Sequence, residues 1–159
     1  MTISIGDKIP DVALSLATPE GPVPVRSESY FAGKTIALFA VPGAFTPTCS
    51  AKHLPSFVEK AEDLKAKGVD QIAATSVNDG FVMGEWGRQA GSDDIDMLAD
   101  GNADFAEALG LTMDASGFGM GKRSQRYSML VEDGVVKQLN VEEPGAYEVS
   151  GAETLLGQL

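Results

Sequence analysis

Short stretches in which nearly every position is apolar alternate along this chain with stretches in which apolar residues recur every three or four positions. The first pattern marks strands buried on both faces, and the second marks amphipathic helices. Residues 12–17 and 23–26 flank a run of turn formers at 18–22, which predicts a hairpin. Residues 34–41 (KTIALFAV), bounded by Gly33 and Pro42, predict a buried strand. From 50 to 67, Leu54, Phe57, Val58, Ala61 and Leu64 keep helical spacing, and Gly68 is a natural stop. Residues 71–77 (QIAATSV) read as the next strand, with Asn78 placed to cap a helix running to about Gln89. A short strand at 95–99 and a short helix at 103–109, ended by Gly110, follow. Beyond the glycine-rich loop 116–121 the pattern predicts a hairpin: 124–132, a turn at Asp133-Gly134, and 135–141. Ser150 or Gly151 opens a last helix.

Strand, helix and strand in the middle of the chain require a right-handed crossover and a parallel pair, and the late hairpin adds antiparallel strands. The expected class is α/β, a thioredoxin-like fold with a central mixed β-sheet flanked by helices on both faces. The sequence has no internal repeat, low-complexity tract or linker, so its 159 residues are expected to form a single domain, 1–159. With 43 % hydrophobic and 22 % charged residues the composition is that of a folded globular chain. The longest apolar run, 36–42, is far too short to span a membrane. No signal-peptide pattern opens the chain, so a cytoplasmic, bacterial protein is expected. A formal net charge of −11 disfavours nucleic acid and anionic membranes as partners, because both select positive surface.

Cysteine usage sharpens the picture. Cys49 is the only cysteine and His53 the only histidine. An intrachain disulfide, a CxxC pair, a cysteine-based zinc cluster and a multi-histidine metal site are thereby excluded. A lone cysteine is ordinarily a small buried hydrophobe. Its neighbours change that reading. In Pro42-Gly-Ala-Phe-Thr-Pro-Thr-Cys49, Thr46 is a preferred N-cap and Pro47 a preferred first helical residue. Cys49 then falls in the first turn, where free amides and the helix dipole favour an anion. Helix starts and nearby cations increase the thiolate fraction of a cysteine. The segment also follows a strong strand, at the carboxyl end of a sheet, where open α/β folds carry their sites.

The pattern Pro42-xxx-Thr46-xx-Cys49 resembles the signature of the peroxiredoxins. The strings VPGAFTPTCSAKHLP, SVNDGFVMGEWG and GKRSQRYSMLVEDGVV resemble the type II, or peroxiredoxin-five, subfamily in its one-cysteine form. The resemblance implies a peroxidase with no metal or organic cofactor. It assigns Cys49 as the peroxidatic cysteine and Thr46 as the hydroxyl that bonds thiolate and peroxide. Pro42 is then the shielding residue and Arg126 the cation that completes the site. Pro42, Gly43, Thr46, Thr48, Cys49 and Arg126 would bind the substrate, with His53 in support. It also implies hydrogen peroxide and small alkyl hydroperoxides as substrates, and a homodimer. Many type II members carry a second, resolving cysteine, which this chain lacks. An external thiol is therefore expected to reduce the sulfenic acid, glutathione with or without glutaredoxin first, thioredoxin or another dithiol as the alternative.

Other readings stand beside this one. Cys49 and His53, four apart on one helix, could form a hydrolase dyad, although that pattern ordinarily brings the histidine from a distant segment. A thiol transferase or isomerase would ordinarily carry a CxxC pair. A redox sensor or holdase signalling through oxidised Cys49 needs no turnover. Phe45, Phe81, Trp86 and Phe118 are expected partly at an interface. The glycine-rich loop lacks the lysine-serine end of a phosphate loop and opens no helix, which argues against nucleotide binding. Strand alternation would let only one of Arg123 and Arg126 face the thiol.

Overall fold

A computed structural model describes residues 2–159. Strands β1 (Ala13–Thr18) and β2 (Gly21–Arg26) form the predicted first hairpin. Helix α1 (Ser27–Phe31) leads into β3 (Thr35–Ala40). A π-helical turn (Cys49–His53) then runs into α2 (Leu54–Glu59) and α3 (Ala61–Ala66). Next come β4 (Gln71–Ser76), α4 (Gly80–Gln89), β5 (Ile95–Ala99) and α5 (Asp104–Leu109). The last third holds β6 (Thr112–Asp114), β7 (Lys122–Ser124), β8 (Tyr127–Glu132), β9 (Val135–Val141) and α6 (Ala152–Gly157).

Among the described residues, seven strands join in the order β2-β1-β5-β4-β3-β8-β9. β3 pairs parallel with β4, and β4 parallel with β5, while β8 pairs antiparallel with β3. This is the expected mixed sheet, and the fold is thioredoxin-like. The alternation within β3 builds both cores. Ala37 and Phe39, with Val41 beyond, face α2, α3, α4 and α6 through Leu54, Phe57, Leu64, Met83, Trp86 and Leu155. Ile36, Leu38 and Ala40 face the opposite layer, with Phe31, Phe105, Leu109, Ile3 and Ile9. Phe39 stacks on Phe57 with ring centroids 4.2 Å apart, which fixes α2 against β3. Burying a side chain of that size contributes roughly 1.5–3 kcal/mol.

Four expectations require correction. The helix expected over 50–67 starts with a widened π turn and breaks at Lys60, whose φ of −98° and ψ of 9° leave the helical range. Asn78 does not cap α4; Asp79 does, its carboxylate accepting from Val82 N at 2.9 Å. The strand expected over 124–132 is two, β7 paired with β6 outside the main sheet and β8 within it, divided at Gln125 and Arg126. Trp86 is only 2 % exposed and belongs to the core, its indole N–H donating to Ser50 Oγ at 2.9 Å.

Candidate active site

The site forms where β3 runs out. Val41 N still donates to Thr75 O at 3.1 Å, and then the chain leaves the sheet. Phe45 turns the loop with a φ of +67°, a left-handed conformation uncommon outside glycine and one that carries strain for a bulky residue. A side-chain anchor offsets part of it: Asn78 Oδ1 accepts from Ala44 N at 3.0 Å and from Ser76 Oγ at 2.6 Å. The helical run begins at Pro47, and Ser50 N donates to Thr46 O at 3.0 Å. Cys49 therefore lies in the first turn, as expected. The Thr46 hydroxyl does not cap a helical amide; it donates to Gly43 O at 2.6 Å. Its one proton is thus committed, and its lone pairs remain free to accept.

Cys49 is fully buried. Arg126 Nη2 donates to its sulfur at 3.0 Å, and Arg126 Nη1 donates to His53 Nδ1 at 2.9 Å. His53 Nε2 lies 2.9 Å from Ser150 O, which can only accept. The imidazole is therefore the neutral Nε2–H form, with its Nδ1 lone pair turned to the guanidinium. Burial, reinforced by the Arg126 charge, lowers the His53 pKa to about 3. Leu54 N closes the π turn on Cys49 O. That i→i+5 turn widens the helix where Cys49 and His53 both reach Arg126, and such bulges are frequent at functional sites. Arg126 also sits over the Tyr147 ring, 5.9 Å from its centroid, while that ring lies 5.1 Å from His53.

Arg123 approaches as well. Its Nε donates to Met120 O at 3.0 Å and its Nη1 to Pro42 O at 3.5 Å. Only Arg126 touches the sulfur, as expected, while Arg123 holds the loop through these two carbonyls. Gly43 permits the convergence: a Cβ there would meet Met120 Cε and Thr46 Cγ2 at 3.1 Å and Arg123 Nη1 at 3.2 Å. Pro42, Thr46, Thr48 and Arg126 are all half-buried, and of these Arg126 contacts the thiol. The structure thus brings Cys49, His53 and Arg126 together, with Pro42, Gly43, Thr46 and Thr48 on the loop and first turn that lead into Cys49. It adds Ser150, Tyr147 and Asn78, which no local spacing announced. Two cavities open at the surface, one of about 310 Å³ beside α6 and lined in part by Tyr147, the other of about 500 Å³ beside α4. A buried thiol with a guanidinium donating to its sulfur suits nucleophilic attack on a small, polar, electrophilic bond.

Comparison with known proteins agrees with this chemistry. The Redoxin family model matches residues 4–156. A rice protein named peroxiredoxin-2E-2, chloroplastic, is 53 % identical over 164 residues, covering 99 % of this chain and 73 % of that one. Peroxiredoxin-2B of Arabidopsis thaliana is 45 % identical over 159 residues, covering 99 % of this chain and 98 % of that one. The crystal structure of reduced Prx3 from Vibrio vulnificus in complex with hydrogen peroxide superimposes with a TM-score of 0.95. Its identity is 55 %, with 99 % of each chain covered.

Proposed function

This chain belongs to the redoxin family as a one-cysteine, type II peroxiredoxin, a thiol peroxidase, and we propose from that premise how its residues divide the work and which thiol recycles it. Cys49 is the attacking thiolate and Arg126 its charge partner. The sulfur forms a bond to one peroxide oxygen as the O–O bond breaks, giving a Cys49 sulfenic acid and a hydroxide or alkoxide. That anion takes a proton from solvent and leaves as water or alcohol. Negative charge moves from sulfur to the leaving oxygen, and the Arg126 fork can follow it because it is planar and always charged. Thr46 Oγ1, its proton held by Gly43 O, accepts from the peroxide and orients it. The free amides of the first helical turn, at 48 and 49, face the same place. Pro42 walls the thiol. The Arg126–sulfur distance of 3.0 Å carries this reading.

The substrates are hydrogen peroxide and small alkyl hydroperoxides, consistent with the confined site. Glutathione, alone or with glutaredoxin, reduces the product. One thiol displaces water from the sulfenic acid to give a mixed disulfide, and a second thiol releases Cys49 and oxidised glutathione. The absence of a second cysteine in the sequence supports an external reductant. The proposed compartment is the reducing cytoplasm, where a lone thiol persists. The proposed assembly is a homodimer through the active-site end of the molecule. Phe45, Phe81 and Phe118 are 47 %, 76 % and 83 % exposed, and each comes from a segment that touches the 42–46 loop or follows one that does.

Peroxide consumption with glutathione, glutathione plus glutaredoxin, and thioredoxin as donors tests the reading. Turnover with the glutathione donors and none in Cys49→Ser is expected. Turnover with thioredoxin alone would overturn the reductant, and peroxide consumption by Cys49→Ser would overturn the mechanism.

A further inference from the structure

A carboxylate that the peroxide chemistry does not touch lies at the far end of the hydrogen-bond chain behind the thiol. Glu142 follows β9 and is 6 % exposed. Its Oε2 accepts from Glu148 N, Val149 N and Ser150 N at 2.8 Å and from Ser150 Oγ at 2.7 Å. Its Oε1 accepts from Glu148 N at 3.0 Å. Burial opposes its charge, but the donors of Ser150, Glu148 and Val149 outweigh it and hold the carboxyl below its usual range. The segment gathered in this way delivers two groups to His53: the Ser150 carbonyl on Nε2 and the Tyr147 ring. Glu142 is also tied to the arginine itself, since its backbone N–H donates to Arg126 O at 2.9 Å. One residue therefore fixes both the backbone of the cation and the partner of the histidine that aims it.

We propose that Glu142 is a positioning residue of the peroxidase reaction. By gathering 148–150 it holds the Ser150 carbonyl on His53 Nε2, which keeps Nδ1 as the acceptor that aims Arg126 at Cys49. The inference rests on the reading of Cys49 and Arg126 given above. A neutral side chain of the same shape would do this less well. Glutamine can place its one oxygen where Oε2 stands, but it loses the charge that strengthens those four contacts and sets its amide N–H groups against Glu148 N, which donates to both oxygens.

Two readouts test the proposal in Glu142→Gln. His53 is the only histidine, so reduced protein labelled with nitrogen-15 gives one pair of ring signals. The wild type is expected to show a protonated Nε2 and a bare Nδ1, and the variant a pair drawn toward the mixed tautomers. Trp86, the only tryptophan, is bonded to the residue after Cys49, so its fluorescence reports peroxide oxidation of the thiol. A rate constant about tenfold lower is expected, since small misplacements of reacting groups cost one to two powers of ten. Movement of both readouts with an unchanged melting profile supports the proposal. A wild-type value in either one overturns it. Should Glu142→Gln fail to fold, Ser150→Ala removes only the 2.7 Å hydroxyl bond, and must shift both readouts in the same direction, with a rate loss of about threefold. Loss of neither overturns the proposal. A wild-type Cys49 inert to peroxide would instead overturn the peroxidase reading itself, a result distinct from an unresponsive variant.

Discussion

In the proposed mechanism Thr46 and Arg126 carry different parts of the chemistry, and substitution separates them. Thr46→Val keeps the shape but removes the hydroxyl proposed to orient the peroxide. The second-order rate of Cys49 oxidation is expected to fall roughly a hundredfold, the usual effect of losing one aimed hydrogen bond in a site. Thr46→Ser keeps the hydroxyl and should retain most of the rate; equal rates in the two variants, measured by stopped-flow fluorescence, would remove the hydroxyl from the mechanism. Arg126→Met removes the donor 3.0 Å from sulfur and the partner of His53 together. Arg126→Lys retains charge but not the fork that spans both, so it should recover only part of the loss. Arg123 braces the loop through two carbonyls rather than touching sulfur. Arg123→Met is therefore expected to change the rate by no more than about fivefold, the equivalent of about 1 kcal/mol for a half-exposed polar contact. A larger loss in Arg123→Met than in Arg126→Met would invert the assignment.

Elements differ in how plainly their sequences announce them. The buried strands of the main sheet were legible because burial on both faces makes nearly every position apolar, and β5 occupies the span its apolar run predicts. The thiol's place in the first helical turn was legible from Thr46-Pro47 alone. Three features were not, each because a distant partner decides it. The π turn at Cys49–His53 breaks no hydrophobic period, since Leu54 and Phe57 still reach the core. The split at Gln125 and Arg126 arises because Gln125 N donates to Leu111 O at 2.7 Å instead of continuing the β3–β8 ladder. Asn78 looked like a cap, and Asp79 took that role because Asn78 was already engaged by Ala44, 34 positions away. This last anchor is testable at the scale of the loop it holds. Asn78→Ala leaves the buried Ala44 N–H without its acceptor, which costs roughly 1–3 kcal/mol. Urea unfolding should show that loss, and oxidation of Cys49 should slow because the strained Phe45 turn is released. A variant with wild-type stability and rate would show that the strain at Phe45 is held by other contacts.

At the scale of the whole molecule, the acidic surface and the buried histidine respond to acid with opposite sign. Lowering the pH neutralises carboxylates and relieves the repulsion behind a formal charge of −11, which stabilises the compact state. His53 acts the other way. Its ordinary value is 6.5 and its value in the fold about 3. The unfolded chain therefore takes up the proton first, and the stability present above about pH 6.5 is lost as the pH falls toward 3. The slope is about 1.4 kcal/mol per pH unit inside that window. The two effects separate because ordinary carboxylates titrate near 4, well below the upper part of it. Glu142, held below its usual range, adds its own loss only at lower pH, while Asp100, raised by burial, offsets part of that loss. Between pH 6.5 and 5, His53 should dominate. Urea unfolding over that interval is expected to show a loss of about 1.5–2 kcal/mol in the wild type. His53→Gln, which cannot take a proton, should be nearly flat over the same interval even though its absolute stability is lower. A flat wild-type profile, or an equal slope in the variant, would mean that His53 is not held neutral between the Ser150 carbonyl and the Arg126 guanidinium.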